Sequence, residues 1–338
     1  MILLFTNSSD EHADVVQPML EAIGYPSYRF NVDDWQRNTL AFYPSSAAGF
    51  FQLISPDGIT KFTSDDVTAV WYRRPHDPKQ LAEPRSRSDE FANGEWKHSL
   101  DSLYGALKDC FWVNSLDSMR IANSKPYQLH AAHKHGFSTP RTIITNNPQE
   151  VQDFAKTFEG PLAYKPLHSF STSAGSGNEL LTIFTNVISR DLLKTCAAQI
   201  QRAPCLFQEY VTKKYELRIT VVGKDVHCAA IHSQASERSS VDWRRYDLAN
   251  TPYEPYPLPA AFRTEVIEFV RSLGLVFGCL DFIVTPDDKY VFLEINTNGQ
   301  WLWIERLTKL PIAESITHLL ARAGRLQCTA PLDQVVFG

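Results

Sequence analysis

Two carboxylates set inside apolar strands constrain this 338-residue chain more than any other feature. Gly278–Thr285 and Tyr290–Ile295 read as the strands of a hairpin joined by Pro286-Asp-Asp-Lys289. The first strand carries Asp281 among Leu280, Phe282, Ile283 and Val284. The second carries Glu294, with Asn296 two residues on. Side chains at i and i+2 share a strand face. Glu294 and Asn296 therefore point the same way, and an antiparallel neighbour can bring Asp281 opposite them. An unpaired carboxylate in such surroundings would cost several kcal/mol. Three converging oxygen donors instead suit a hard divalent cation, Mg²⁺ above all, shared with substrate phosphates.

Cationic residues precede this hairpin in order. Lys165 ends the strand Leu162–Pro166 and enters the small-residue loop His168–Gly177. A lysine there can reach phosphate oxygens, and Ser, Thr and Gly let backbone N–H groups approach them. No Gly-Lys-Ser/Thr follows, so the loop is not a Walker A motif. Lys125 opens a helix, and by itself reads as a surface lysine. Phe207-Gln-Glu-Tyr-Val211 is an apolar strand that could offer backbone groups to an adenine and Glu209 to a ribose, or could be a plain edge strand. Glu216 and Arg218 share one strand face. Arg244 and Arg245 sit in the polar connection Ser233–Tyr256. Arginines near a phosphate hold it through bidentate contacts, or else belong to a solvated loop.

Composition narrows the class. Hydrophobic residues make up 43% and charged residues 21%, enough apolar matter for a real core. Length alone suggests two or three domains, since 338 over ~150 is roughly 2.3. A net charge of −5 without a basic block argues against a nucleic-acid binder. No stretch approaches the ~20 apolar residues of a membrane span. Met1–Phe5 reads as a buried strand rather than a signal segment, so a cytoplasmic protein is expected. The six cysteines show no CxxC pairing and read as packing residues. His130, His133 and His135 lack further ligands nearby and read as the polar face of a helix.

Alternating strands and helices organise the first part: Ile2–Thr6, a helix over Ser9–Ile23, Tyr28–Asn31, Phe50–Ile54, Lys61–Thr63 and Val67–Arg74. Further helices are expected over Glu95–Lys108, Lys125–His135, Pro148–Phe158, Ser189–Ile200, Ala260–Leu273 and Ile312–Gly324. Cys205–Val211, Glu216–Val222 and Asp225–His232 read as three antiparallel strands. The expected units are 1–120, 121–205 and 206–330.

Taken in order, Lys125, Lys165 with its loop, Gln208-Glu209-Tyr210-Val211, Glu216-Leu-Arg218, Arg244, Asp281 and Glu294-Ile-Asn296 resemble the ATP-grasp superfamily. Val70-Trp-Tyr-Arg-Arg-Pro75, Ile231-His-Ser-Gln234, Asp242-Trp-Arg244 and Glu294-Ile-Asn-Thr-Asn-Gly-Gln-Trp301 narrow the resemblance to the microviridin-type peptide maturases, the graspetide synthetases. The resemblance implies an α/β (α+β) ATP-grasp fold. An N-terminal pre-ATP-grasp α/β domain would precede a central small domain and a C-terminal antiparallel-sheet domain. Lys125 and Lys165 would hold ATP phosphates. Gln208 to Val211, with Glu216, would complete the nucleotide site. Asp281, Glu294 and Asn296 would bind Mg²⁺, and Arg218 and Arg244 would stabilise the γ-phosphate and the acyl phosphate. Thr297 stands where the family often has Pro, and the loop is less Gly-rich than usual.

The implied reaction is closure of side-chain esters or amides in a ribosomal precursor peptide, by a homodimer. Arg73 and Arg74, ending an apolar strand, are expected to help hold the peptide, with Asn298 beside them. Trp301 and Trp303 either wall the acceptor pocket or pack the hairpin. Two other readings share the nucleotide residues: a ligase joining an amino acid to a carboxylate, and an inactive nucleotide-binding adaptor.

Overall fold

Ile2–Thr6 is buried along its whole length and forms β1, the centre of a parallel sheet. The computed structural model describes residues 1–46, 49–75, 86–167, 171–173, 180–182, 185–245, 247, 249–325 and 336. After β1 come α1 (Glu11–Ala22), β2 (Ser27–Asn31), β3 (Thr39–Phe42), β4 (Phe51–Ile54), β5 (Lys61–Thr63), β6 (Ala69–Tyr72), α2 (Arg87–Ala106), β7 (Phe111–Val113) and α3 (Leu116–Ala122). The sheet runs β2-β1-β6-β7, and β3-β4-β5 form a small antiparallel sheet beside it. The Asp10 carboxylate caps α1 by accepting from the His12 N–H.

The second unit holds α4 (Lys125–His135), β8 (Thr142–Thr145), α5 (Pro148–Ala155), β9 (Leu162–Lys165), β10 (Ser171–Ser173), β11 (Leu180–Thr182), β12 (Asn186–Ile188), α6 (Arg190–Thr195), α7 (Ala197–Ile200) and β13 (Cys205–Glu209). Gly136, at φ 99°, ends α4 in the left-handed conformation that a Cβ disfavours. The helix expected over Ser189–Ile200 is broken at Cys196. The small-residue loop lies largely outside the described residues.

The third unit holds β14 (Tyr215–Val222), β15 (Asp225–Ile231), β16 (Tyr253–Pro255), α8 (Ala260–Ser272), β17 (Phe277–Val284), β18 (Tyr290–Asn296), α9 (Leu302–Thr308) and α10 (Ile312–Arg325). Its sheet runs β16-β15-β14-β17-β18. One expectation fails here. Cys205–Glu209 does not join the β14–β15 pair but lies between β8 and β9 in the sheet β12-β9-β13-β8. Its apolar pattern fits either sheet, and the long connections that decide the pairing leave no local trace.

Strand β14 is buried on both faces. Leu217, Ile219 and Val221 pack with Val266, Phe269, Leu280 and Phe282. Glu216 and Arg218 occupy the opposite face. The first and third units share a core, in which Ile2, Leu4 and Trp71 meet Phe277, Ile316 and Leu320. Asn114 pins this junction. Its amide N–H groups donate to the carbonyls of Phe277 (2.8 Å) and Thr297 (2.9 Å). Its oxygen accepts from the N–H groups of Val276 (2.8 Å) and Phe277 (3.0 Å). Every hydrogen-bonding capacity of the buried amide is used. Asn114→Ala should therefore cost on the order of 3 kcal/mol or more in denaturant unfolding.

Candidate active site

The β17–β18 register sets the acidic pair. Asp281 lies opposite Glu294, and Cys279 opposite Asn296. Phe282, however, pairs with Phe292, which leaves Leu293 as an extra residue on β18. Strict alternation would put Phe292 and Glu294 on one face. The bulge lets Phe292 enter the core, at 0% exposure, while Glu294 turns to the cleft.

Cations crowd this acidic pair. One Nη1 of Arg218 donates to both oxygens of Asp281 at 2.9 Å, with both side chains buried. Glu294 lies 3.6 Å from the Lys125 ammonium and 3.6 Å from Arg244. The Asn296 amide N–H groups reach Asp281 (3.3 Å) and Glu294 (3.4 Å), so all three predicted donors converge. Burial lifts the Asp281 carboxyl above its ordinary range despite Arg218. Burial acts on Glu294 too, but Arg244, Lys125 and Lys165 outweigh it and keep that carboxyl well below its ordinary range. With only two carboxylates among the donors, this is not an all-protein cage. It fits a hard cation that keeps phosphate oxygens as further ligands.

The cleft in front of these residues is lined by Lys165, Gln208, Glu209, Tyr210, Val211, Lys213, Glu216, Arg244, Asp281 and Glu294, among others. The sequence thus placed most of one wall. Lys125 adjoins it, donating to the Pro166 carbonyl at 2.8 Å. Burial brings the Lys165 ammonium down to about 8. Gln208 donates to Thr142 Oγ1 (2.9 Å), and Glu209 pairs with Arg141 (3.3 Å). The Tyr210 N–H is already given to the Pro161 carbonyl.

Sequence reasoning gave no role to two residues of the site. Lys213, 7% exposed, donates to Glu216 at 2.8 Å, and Ser233 Oγ donates to the same oxygen. Glu216 is thus engaged in a buried ion pair at the wall. Asp242 grips Arg244 through its N–H (3.0 Å), Nε (2.9 Å) and Nη2 (2.7 Å), and also accepts from the Thr185 N–H (3.0 Å). Burial would raise the Asp242 carboxyl, but Arg244 and the Thr185 N–H hold it far below the usual range. The Asp-x-Arg spacing was visible; that the aspartate positions the arginine was not.

The remaining expected residues gather on the far side of the segment after β18. The Asn298 carbonyl accepts from Arg73 Nη1 (3.2 Å) and Arg74 Nε (2.9 Å), and its amide points to Met119. Gly299 is needed where it is: a Cβ would come within 2.4 Å of the Cys279 Cβ and 2.9 Å of Arg218 Nη2. Trp301 is corrected. It is 0% exposed, set edge-on to His12 at 4.9 Å, and walls neither cavity. Trp303 reaches a cavity instead, stacked on Trp243 at 4.9 Å.

Fold and site together define an ATP-grasp ligase. The chain belongs to that family: residues 122–320 match the RimK-like ATP-grasp domain, and residues 1–120 match the MvdD pre-ATP grasp domain. Among solved structures it is similar to macrocyclase MdnC of Microcystis aeruginosa, bound with precursor peptide MdnA. Identity there is 31%, coverage 95% of this chain and 99% of that one, and the TM-score 0.82. It is also similar to a Chryseobacterium gregarium RiPP-associated ATP-grasp ligase in complex with ADP and a leader and core peptide. That match has 31% identity, covers 95% and 96% of the two chains, and has a TM-score of 0.83. A curated relative is the alpha-aminoadipate–LysW ligase LysX of Sulfolobus acidocaldarius, 24% identical over 191 residues. The match spans 54% of this chain and 64% of that protein. Among the described residues no helix is long and apolar enough to cross a membrane.

Proposed function

We propose that this protein is an ATP-dependent peptide macrocyclase. It would close ω-ester (Ser/Thr) or ω-amide (Lys) links onto Asp or Glu side chains of a ribosomal precursor peptide. The observation that carries the reading is one cleft lined by Lys165, Arg244, Asp281 and Glu294, with Lys125, Arg218 and Asn296 in contact with its acidic pair, in a chain that spans 99% of a 31% identical macrocyclase.

The chemistry follows from the parts. A peptide carboxylate oxygen attacks the γ-phosphorus of ATP, the bond to the β-phosphate oxygen breaks, and ADP leaves. A Ser/Thr hydroxyl or Lys amine of the same peptide then attacks the acyl carbon. Phosphate departs and the nucleophile's proton is released. Each link costs the peptide one water. Lys125 and Lys165 hold phosphate charge, while Arg218 and Arg244 face the charge that builds on the transferring group. Asp281, Glu294 and Asn296 would hold Mg²⁺, which supplies charge neutralisation at the phosphates. No protein nucleophile is required.

ADP release tests the reading. It should depend on the acidic peptide encoded beside the gene and ignore free amino acids. Release on adding free amino acids, with the peptide unchanged, would favour the carboxylate–amine ligase. A homodimer in the cytoplasm belongs to the same proposal; a monomer in sedimentation would remove that part.

Lys165 adds a pH signature. Its proton is lost in the free protein as pH rises through about 8, whereas a bound phosphate retains it. ADP affinity should hold below that value and weaken about tenfold between pH 7 and 9. Lys165→Met should flatten the profile in calorimetric titrations.

A further inference from the structure

We propose that a second cavity, on the far side of the segment 298–303, is a subsite for an acidic side chain of the substrate peptide other than the one activated in the cleft. This rests on the macrocyclase reading and assigns a specificity role to a separate pocket. Arg73, Arg74, His12, Gln300, Trp303 and Arg306 are among its walls, and it shares no lining residue with the nucleotide cleft.

Arg73 carries the argument. It is 2% exposed, yet no carboxylate lies within ion-pair distance of it among the described residues. Its Nη1 donates to the Asn298 carbonyl, and its Nε is buried without a hydrogen-bond partner. A guanidinium buried without a contacting carboxylate is costly, and a further anion in the cavity lowers the cost of its charge. Of the two acids in the cavity wall, Asp10 attracts Arg73 through its charge, but the contacts of both acids are with other groups. Asp10 accepts from Thr6 Oγ1 (2.6 Å) and pairs with His12 (3.0 Å), and Glu11 pairs with Arg306 (2.6 Å). The planar fork of arginine suits a carboxylate better than a point charge would.

The location suits a peptide already engaged at the cleft. The cavity opens at the C-terminal ends of the parallel strands β1 and β6, where α/β sheets receive ligands. Gln300 accepts through its carbonyl from Arg218 Nη2 at 3.1 Å. Trp303 stacks on Trp243, and Arg218 lies 5.7 Å over the Trp243 ring. An acidic side chain held at Arg73 is thus one layer of residues from the arginine paired with Asp281. The cavity reads the peptide's acidic pattern, while the cleft performs the transfer.

The probe is the fluorescein-labelled precursor peptide encoded beside the gene, together with its single Asp→Asn and Glu→Gln variants. Anisotropy is measured with ADP and Mg²⁺ present, against wild type, Arg73→Gln and Ser9→Trp. Ser9 is an exposed residue of the cavity wall, so the bulky replacement blocks the pocket and leaves Arg73 in place. One acidic replacement outside the linked positions should weaken wild-type binding roughly tenfold or more. The same replacement should cost nothing further in either protein variant. Both variants should keep wild-type affinity for ADP. If Arg73→Gln fails to fold, Ser9→Trp carries the same comparison. Equal losses in wild type and variants for every acidic replacement would overturn the subsite, while continued dehydration of the peptide would still uphold the macrocyclase. A wild-type protein that neither binds nor dehydrates the peptide would overturn both.

Discussion

Glu294→Gln is expected to bring peptide-dependent ADP release down by on the order of 10³-fold or more, because several kcal/mol of charge stabilisation at the phosphates is lost. The substitution keeps shape and removes one charge. Glu294 is the carboxylate that three cations hold ionised, so the amide changes both the metal donor set and the balance around Lys125, Lys165 and Arg244. ADP should still bind without Mg²⁺, since those cations remain, while the gain in affinity on adding Mg²⁺ disappears. The choice of residue matters. Asp281→Ala would also silence the enzyme, but it would strand the buried Arg218 and cost about 3–5 kcal/mol of stability. Its lost activity could then be lost fold. Wild-type ADP release by Glu294→Gln would remove the metal assignment.

Asp242→Asn should lower kcat on the order of 10²- to 10³-fold, the scale seen when one preorganised donor to a developing charge is lost. Asp242 touches no substrate in this account. It accepts from three N–H groups of Arg244 and from the backbone of Thr185, and so fixes the arginine against the second unit. An amide oxygen can keep the two contacts of the carboxylate oxygen it replaces, but not the paired grip on Nε and Nη2. The readout is a double-mutant cycle in kcat with Arg244→Gln. If Asp242 works through Arg244, the double variant should be no slower than Arg244→Gln alone. Additive losses would show that Asp242 acts independently of the arginine.

Much of the site could be read from the chain because its parts are local. Asp281 among apolar residues, and Glu294 with Asn296 two positions on, announce a shared face without tertiary information. Lys165 and Arg218 were found in the same way, by their place at a strand end or on a strand face. What stayed hidden depends on distant partners. The bulge at Leu293, which separates Phe292 from Glu294, breaks the very alternation that sequence reading relies on. Lys213 lies between two strands, and no local pattern shows that Glu216 and Ser233 gather at its ammonium. Trp301 and Trp303 have the same composition-level signal, yet one is core and the other borders a cavity, because α9 starts between them and turns their side chains apart. Cys205–Glu209 joined the second sheet for a comparable reason: its pattern says buried strand and cannot say whose neighbour.

The intact mass of the precursor peptide after incubation with purified protein, ATP and Mg²⁺ tests the central claim most directly. The account predicts the loss of one water per link, strictly dependent on ATP, with methanolysis separating esters from amides. A peptide of unchanged mass alongside continued ADP release would contradict it.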